Sequence, residues 1–342
     1  MCGIAGVIGV RGGGRTNEAE LTALRDAQTH RGPDDAGLWL SEDSTVGLGH
    51  REIPIRVDEI RERMPDAVRA LDQPSVDGIN TYFVSEAAVR AGLKVAVSGV
   101  GGDEVFGGYG TFERVPRIQR LRRMIPIGAS LAAAAVDRLP GGRFTSRASN
   151  GLRFGTDLPG AYFAERCLFT PAEARRLLAP ELADAVVDPA AELRDRVGVD
   201  ALPKDEHISA LELRQYMLAQ LLRDTDAVSM RHSLEVRTPL VDRELLERAC
   251  LIPAPLRHAG PAKRRLREAP DPPVPEALWN RRKQGFTLPF DHWLKTGGIE
   301  LQLPEHPWLR ADAMDNLVSG FRAGRVHFSR VWILHVLAHY LN

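Results

Sequence analysis

Leu93-Lys94-Val95-Ala96-Val97-Ser98-Gly99-Val100-Gly101-Gly102-Asp103-Glu104-Val105-Phe106-Gly107-Gly108-Tyr109 is the stretch on which the fold class turns. Residues 93–97 are a short apolar run suited to a buried parallel strand. That strand delivers the chain into a turn with glycine at 99, 101 and 102, followed at once by two carboxylates, Asp103 and Glu104. Open α/β sheets bind ligands at the carboxyl ends of their strands, where glycines let backbone N–H groups approach phosphate oxygens. The two acids suit a Mg²⁺ ion bridging such phosphates. An isolated Gly-Gly-Asp-Glu is just as readily a solvated acidic turn, so the reading rests on what surrounds it.

Upstream, Ile79, Tyr82, Phe83, Ala87 and Val89 mark one face of a helix over 79–91, with Gly92 as its stop. Downstream of Phe112 the pattern is almost wholly helical, notably over 206–222, where Leu211, Arg214, Met217, Leu218 and Leu221 follow turn spacing. At the other end, residues 4–10 read as a strand closing in a glycine turn at 12–14, and 18–28 as a helix carrying Leu21, Leu24 and Ala27. A second strand begins at 47–50, after which the chain passes through 52–65 into a different region without a low-complexity linker.

The chain has 342 residues, 44% hydrophobic and 26% charged, enough for roughly two domains. Lys plus Arg, 45, equals Asp plus Glu, 45, so no net field draws the chain to nucleic acid or an anionic membrane, and any anion site must be local. The apolar stretch 125–136 is shorter than the roughly 20 residues a spanning helix needs and reads as a buried soluble helix. No basic n-region opens the chain, so a cytoplasmic location is expected. Cys2, Cys167 and Cys250 have no metal-type spacing and no even count, so two of them read as plain core residues rather than parts of a disulfide framework.

Cys2 has a different reading. Removal of Met1 would leave it with a thiol and a free α-amino group, the latter with an ordinary pKa of about 7.7–8.0 against about 8.5 for the thiol, a minimal base and nucleophile. Alone, a cysteine after Met reads as a small packing residue. Met1-Cys2-Gly3-Ile4-Ala5-Gly6 together with His30-Arg31-Gly32-Pro33-Asp34, however, resembles the start of class II glutamine amidotransferases of the asparagine synthetase branch. Residues 98–109 are similar to the family's Ser-Gly-Glu-Gly-x-Asp-Glu-x-Phe-Gly-Gly-Tyr segment, with Val100 standing where many members carry Glu. Three further segments resemble the family in order: Asp72-Gln73-Pro74-Ser75 with Asp77; Asp226-Ala227-Val228-Ser229-Met230 with Ser233 through Asp242; and Arg282-Lys283-Gln284-Gly285-Phe286 with Pro289 and Trp293.

The resemblance implies an α/β fold: a partial Ntn-hydrolase (αββα) segment, then part of an adenine-nucleotide α-hydrolase-like α/β domain with a helical C-terminal region. It implies Cys2 as the glutaminase nucleophile with Arg31 shaping its surroundings. By the same match Ser98 and Gly99 contact ATP, Asp103 helps bind magnesium pyrophosphate and Lys283 neutralises the leaving pyrophosphate; Gly101 and Gly102 are expected beside them at the nucleotide and Glu104 beside Asp103 at Mg²⁺. The partners implied are glutamine, ATP and aspartate or another carboxylate; neither nucleic acid nor membrane is expected, and a homodimer is allowed.

The resemblance covers only the two outer portions of the family pattern. The Asn-Gly-Glu oxyanion segment of the glutaminase and the Ser-Gly-Gly-x-Asp-Ser loop of the synthetase have no counterpart, and Glu52 falls where a glutamine-binding Arg belongs. Residues 1–51 therefore read as a remnant, since a whole glutaminase domain takes on the order of 150–200 residues. Residues 52–342 read as a synthetase domain without its first β–α units. Negligible glutaminase activity is expected, and the strands of the remnant are expected to pair with each other with nothing to cover their apolar faces.

Overall fold

The computed structural model describes residues 2–8, 15–27, 29, 35–44, 46–52, 55–125, 127–137, 142–271, 273–274, 276–280 and 288–341. They divide into two compact units, the first made of 1–72, 78–97 and 224–237, the second of 73–77, 98–223 and 238–342.

The first unit opens with three antiparallel strands, β1 (Cys2–Ile8), β2 (Asp35–Leu40) and β3 (Val46–Glu52), in the order β1-β3-β2. The expected pairing of the two terminal strands is present, with Ile4 opposite His50 and Gly6 opposite Leu48. Two features correct the expectation of a bare strand pair. β2 adds a third strand, Leu38 opposite Gly49 and Leu40 opposite Gly47. Helix α1 (Glu18–Asp26), capped by Asn17, whose side chain accepts the Glu20 N–H at 2.7 Å, covers the sheet. Leu21 is fully buried, and a Cβ at Gly47 would stand 2.9 Å from it, so a glycine in β3 is what lets the helix approach. The turn at 12–14 lies outside the described residues.

Residues 52–65 do not remain a plain join. Helix α2 (Val57–Arg69) buries Ile60, Met64, Ala67 and Val68, a stripe at helical spacing, with Pro65 inside the helix. α3 (Ile79–Arg90) buries Ile79, Tyr82, Phe83 and Ala87 as expected, though Val89 is exposed, and Gly92 follows at φ +76°. Tyr82 packs edge-on against Phe83 and His232, and Arg63 pairs with the largely buried Glu86. Strand β4 (Val95–Val97) pairs in parallel with β5 (Glu235–Arg237), Ala96 opposite Val236. The strand was expected to be buried. Among the described residues β4 has no other partner, and Val97 is 75% exposed, so its face of the ladder is open to solvent rather than covered as in a buried parallel sheet.

The second unit is helical: α4 (Gly102–Phe106), α5 (Thr111–Arg123), α6 (Ala129–Val136), α7 (Gly142–Phe154), α8 (Leu158–Arg166), α9 (Pro171–Leu177), α10 (Pro189–Val197) and α11 (His207–Leu211), which continues as a π-helix over Glu212–Leu222. A core of Val115, Tyr162, Leu193, Val197, Ile208 and Leu211 joins α5, α8, α10 and α11. α6 departs from its reading as a buried helix: Ala129 and Ala133 are buried, while Leu131 is 78% exposed. Near the C-terminus, Trp293 and Trp332 are buried around Phe290. Among the described residues, no helix is long and apolar enough to cross a membrane.

The central strand of the N-terminal sheet is bonded on both sides, whereas β1 and β2 each present an open edge among the described residues. Amides of β3 should therefore exchange with deuterium more slowly than those of β1 and β2, read by hydrogen-exchange mass spectrometry. Equal exchange across the three strands would contradict this order.

Candidate functional site

Ser98 directly follows β4 in the chain, and its hydroxyl accepts the Val100 N–H at 3.3 Å, curling the backbone into a turn. Gly99 is exposed, and a Cβ there would meet open space. Gly101 has a different reason to be glycine. Its φ is +100°, and a Cβ would come within 2.8 Å of Val241 and 3.0 Å of the Leu240 carbonyl oxygen. Gly102 likewise backs onto Leu240. The Thr238-Pro239-Leu240-Val241-Asp242 segment thus forms the wall behind the glycines, and Asp242 caps the helix Arg243–Cys250 by accepting the N–H groups of Glu244 and Leu245.

Asp103 and Glu104, adjacent in sequence, face different surroundings. Glu104 is buried, accepting the Gly101 N–H at 3.1 Å on one oxygen and the Tyr109 hydroxyl at 2.7 Å on the other. Asp103 stays partly exposed, with Oδ1 at 3.1 Å from Lys263 Nζ. Gly108 makes room for it, since a Cβ there would overlap the Asp103 carboxylate. Mg²⁺ commonly takes one or two carboxylates and completes its shell with phosphate oxygens and water. Asp103 fits that role, whereas Glu104 has both oxygens engaged in holding the loop. Among the described residues no three His, Cys, Asp or Glu side chains gather to hold a metal by themselves.

Two adjacent side chains, Arg257 and His258, hold this loop from behind. Arg257 is 1% exposed and uses all its N–H groups: Nε to the Val105 carbonyl at 3.1 Å, one terminal nitrogen to the carbonyls of Ala249 and Ile252, the other to Glu206 and Ser209 Oγ. His258 Nε2 lies 3.2 Å from the same Val105 carbonyl, and its ring stands against Gly107 and Phe112. Burial, followed by the neighbouring Arg257 charge, holds this imidazole below its ordinary pKa.

A second polar group surrounds Tyr109. The Arg166 guanidinium lies 5.0 Å from the Tyr109 ring and 3.9 Å from that of Tyr216, and donates to the buried Glu212 at 2.6 Å. Thr111 donates to Glu212 at 2.5 Å, while Tyr216 and Gln220 donate to Asp77 at 3.3 and 2.6 Å. Burial pushes the carboxyls of Asp77 and Glu212 above the usual carboxylate range, with Arg166 acting in the opposite sense.

Of the residues singled out from sequence, the structure brings Ser98, Gly99, Gly101, Gly102, Asp103 and Glu104 into one loop. Cys2 opens β1, and its side chain is not among the described atoms. Lys283 and Arg31 lie outside the described residues. Trp293, read as part of the lysine-loop segment, is a core residue. Cys250 is exposed rather than in the core, and burial pushes the Cys167 thiol up to about 12. The sequence reading missed Lys263, Arg257 and Arg166. The signal open to it was weak: Glu212, Tyr216 and Gln220 recur every four residues along a helix, a polar line where an apolar one was read.

A family model described as asparagine synthase matches residues 29–339. The chain belongs to the asparagine synthase family. It is 31% identical over 262 residues to a putative glutamine-hydrolysing asparagine synthetase of Mycobacterium tuberculosis H37Rv, covering 74% of this chain and 39% of that protein. To the glutamine-hydrolysing asparagine synthetase 1 of Bacillus subtilis 168 it is 31% identical over 271 residues, 75% of this chain and 41% of that one. A third relative, asparagine synthetase 3 of the same organism, is 24% identical over 299 residues, 84% of this chain and 43% of its own. The chain thus spans about two fifths of the length of the curated relatives it matches. No solved structure matches it.

Replacing Arg257 by Met should leave the Glu206 carboxylate and three carbonyls without their buried donor, costing about 3–5 kcal/mol in urea unfolding; a change under 1 kcal/mol would refute its role. For His258 the sign follows from its depressed folded pKa. As pH falls below the unfolded value of about 6.5, the unfolded chain takes up a proton that the folded one resists, so stability is lost on acidification. The drop in Tm between pH 7.5 and pH 5.5 should be smaller in His258→Gln than in the parent chain.

Proposed function

We propose that this chain is an ATP-dependent ligase module that amidates aspartate or a related carboxylate through an acyl-adenylate, impaired by loss of an internal block. Residues 1–51 are the remnant of a class II glutamine amidotransferase domain, and 52–342 are the synthetase domain without its N-terminal PP-loop portion. The carrying observation is the partly exposed Asp103 carboxylate facing Lys263 in a loop where Gly99 is open to solvent. An acid that can meet a magnesium ion and a lysine that can neutralise phosphate charge are what a departing pyrophosphate requires.

Within this reading Ser98 and Gly99 meet the nucleotide, Asp103 holds magnesium and Lys263 offsets phosphate charge, with Lys283 assigned by its motif to the same task. Gly101, Gly102 and Glu104 shape the loop. MgATP, when bound, supplies the leaving group that activates the carboxylate for attack by ammonia. The apolar Val100, where many members carry Glu, favours an acceptor carboxylate other than aspartate. Cys2 keeps the position of the glutaminase nucleophile, but without oxyanion donors it loses a contribution typically worth about 3–4 kcal/mol.

One observation favours a second reading, a non-catalytic relative: among the described residues β4 leads into the loop from a ladder of two strands, with Val97 exposed. Calorimetric titration with magnesium pyrophosphate separates the two. On the first reading the ligand binds, and Asp103→Asn or Lys263→Gln weakens it at least tenfold. Absence of binding to the parent chain would support the non-catalytic reading.

A further inference from the structure

The second unit contains a cavity of about 380 Å³ bounded by α7, α8, α9 and the start of the helix Phe328–Leu341. None of its lining residues belongs to the 98–108 loop. Six arginines line it, Arg147, Arg153, Arg166, Arg176, Arg325 and Arg330, against three carboxylates. Those carboxylates are already taken. Asp137 pairs with Arg153 at 2.5 Å, Glu165 with Arg147 at 3.0 Å and Arg114 at 2.8 Å, and Glu173 with Arg330 at 2.7 Å. Arg166 has its partner, Glu212, outside the lining.

Positive charge is therefore left over. Arg176 and Arg325 are exposed and neither is within 4 Å of a carboxylate among the described residues, although Arg176 is near enough to Asp137 to help lower its pKa. The Nε atoms of Arg166 and Arg330 are buried and meet no acceptor among the described residues. Buried donors of this kind are costly unless an acceptor arrives. Arginine presents a planar fork matched to phosphate and carboxylate oxygens, and several such forks around one cavity suit a multiply charged anion with many acceptor sites. The volume is in the range of small-molecule pockets and far exceeds a bare phosphate, and Phe154, Leu168 and Val326 give it apolar wall for an organic remainder.

We propose that this arginine-lined cavity is a binding site for a small phosphomonoester, separate from the loop at 98–108. The phosphate engages Arg176 and Arg325 and supplies acceptors to the neighbouring arginines, while the organic portion lies along the apolar wall.

The test uses the full chain at constant ionic strength, with inorganic phosphate and glycerol 2-phosphate as probes and chloride and succinate as comparisons. Both phosphate probes should raise the Tm saturably, with glycerol 2-phosphate the tighter by calorimetry. The double variant Arg176→Gln/Arg325→Gln should weaken both at least tenfold, while Arg243→Gln, on an exposed helix elsewhere in the unit, should leave them unchanged. The exposed positions of 176 and 325 keep the fold out of the comparison, which a matching Tm of the unliganded variants verifies. Equal shifts with chloride, tighter binding of succinate, or unchanged affinity in the double variant would each overturn the proposal. So would loss of phosphate binding in Asp103→Asn or Lys263→Gln with retention in the double variant, because the anion would then belong to the 98–108 loop.

Discussion

The buried guanidinium of Arg257 is the constraint on which the candidate loop depends. An arginine can be withdrawn from water only if its charge and all five donors are met, and here four backbone or side-chain oxygens beside the Glu206 carboxylate do so. One of those oxygens is the carbonyl of Val105, in the short helix that carries Asp103 and Glu104. A five-residue helix has little stability of its own. Its orientation comes from Arg257 at the Val105 carbonyl, from the Lys263 N–H at the Phe106 carbonyl, and from Glu104 folded back onto Gly101.

This arrangement divides labour between two adjacent acids. Glu104, desolvated, serves the loop's internal bonding through Gly101 and Tyr109, and Asp103, partly exposed, pairs with Lys263. Tyr109 extends the same polar group to Arg166, Tyr216 and, through Tyr216, Asp77. Arg166 also lines the arginine-rich cavity, so one side chain borders both polar regions of the second unit.

Among the described residues the β-structure is sparse. The parallel ladder has two strands of three residues, and the N-terminal sheet has three strands under one helix. In the latter, the contact of Leu21 with Gly47 supplies cover that two strands alone lack. The chain spans about two fifths of the length of its matched relatives.

What the sequence determined by itself was local or motif-borne. The helix over 79–91, the pairing of the first and third strands, the glycine loop after β4 and family membership all follow from residue spacing and from strings such as Gly-Gly-Asp-Glu-Val-Phe-Gly-Gly-Tyr. α2 was not assigned from sequence, where 52–65 read only as a passage between regions, although Ile60, Met64, Ala67 and Val68 carry a helical stripe. Only the tertiary structure decided that Gly101 is glycine because Leu240 and Val241 press on it, that Glu104 turns inward while Asp103 does not, and that Lys263, 160 residues away along the chain, supplies the facing cation. Periodicity encodes which face of an element is apolar. Desolvation and charge pairing depend on which distant side chains meet, and that is set by packing rather than by spacing along the chain.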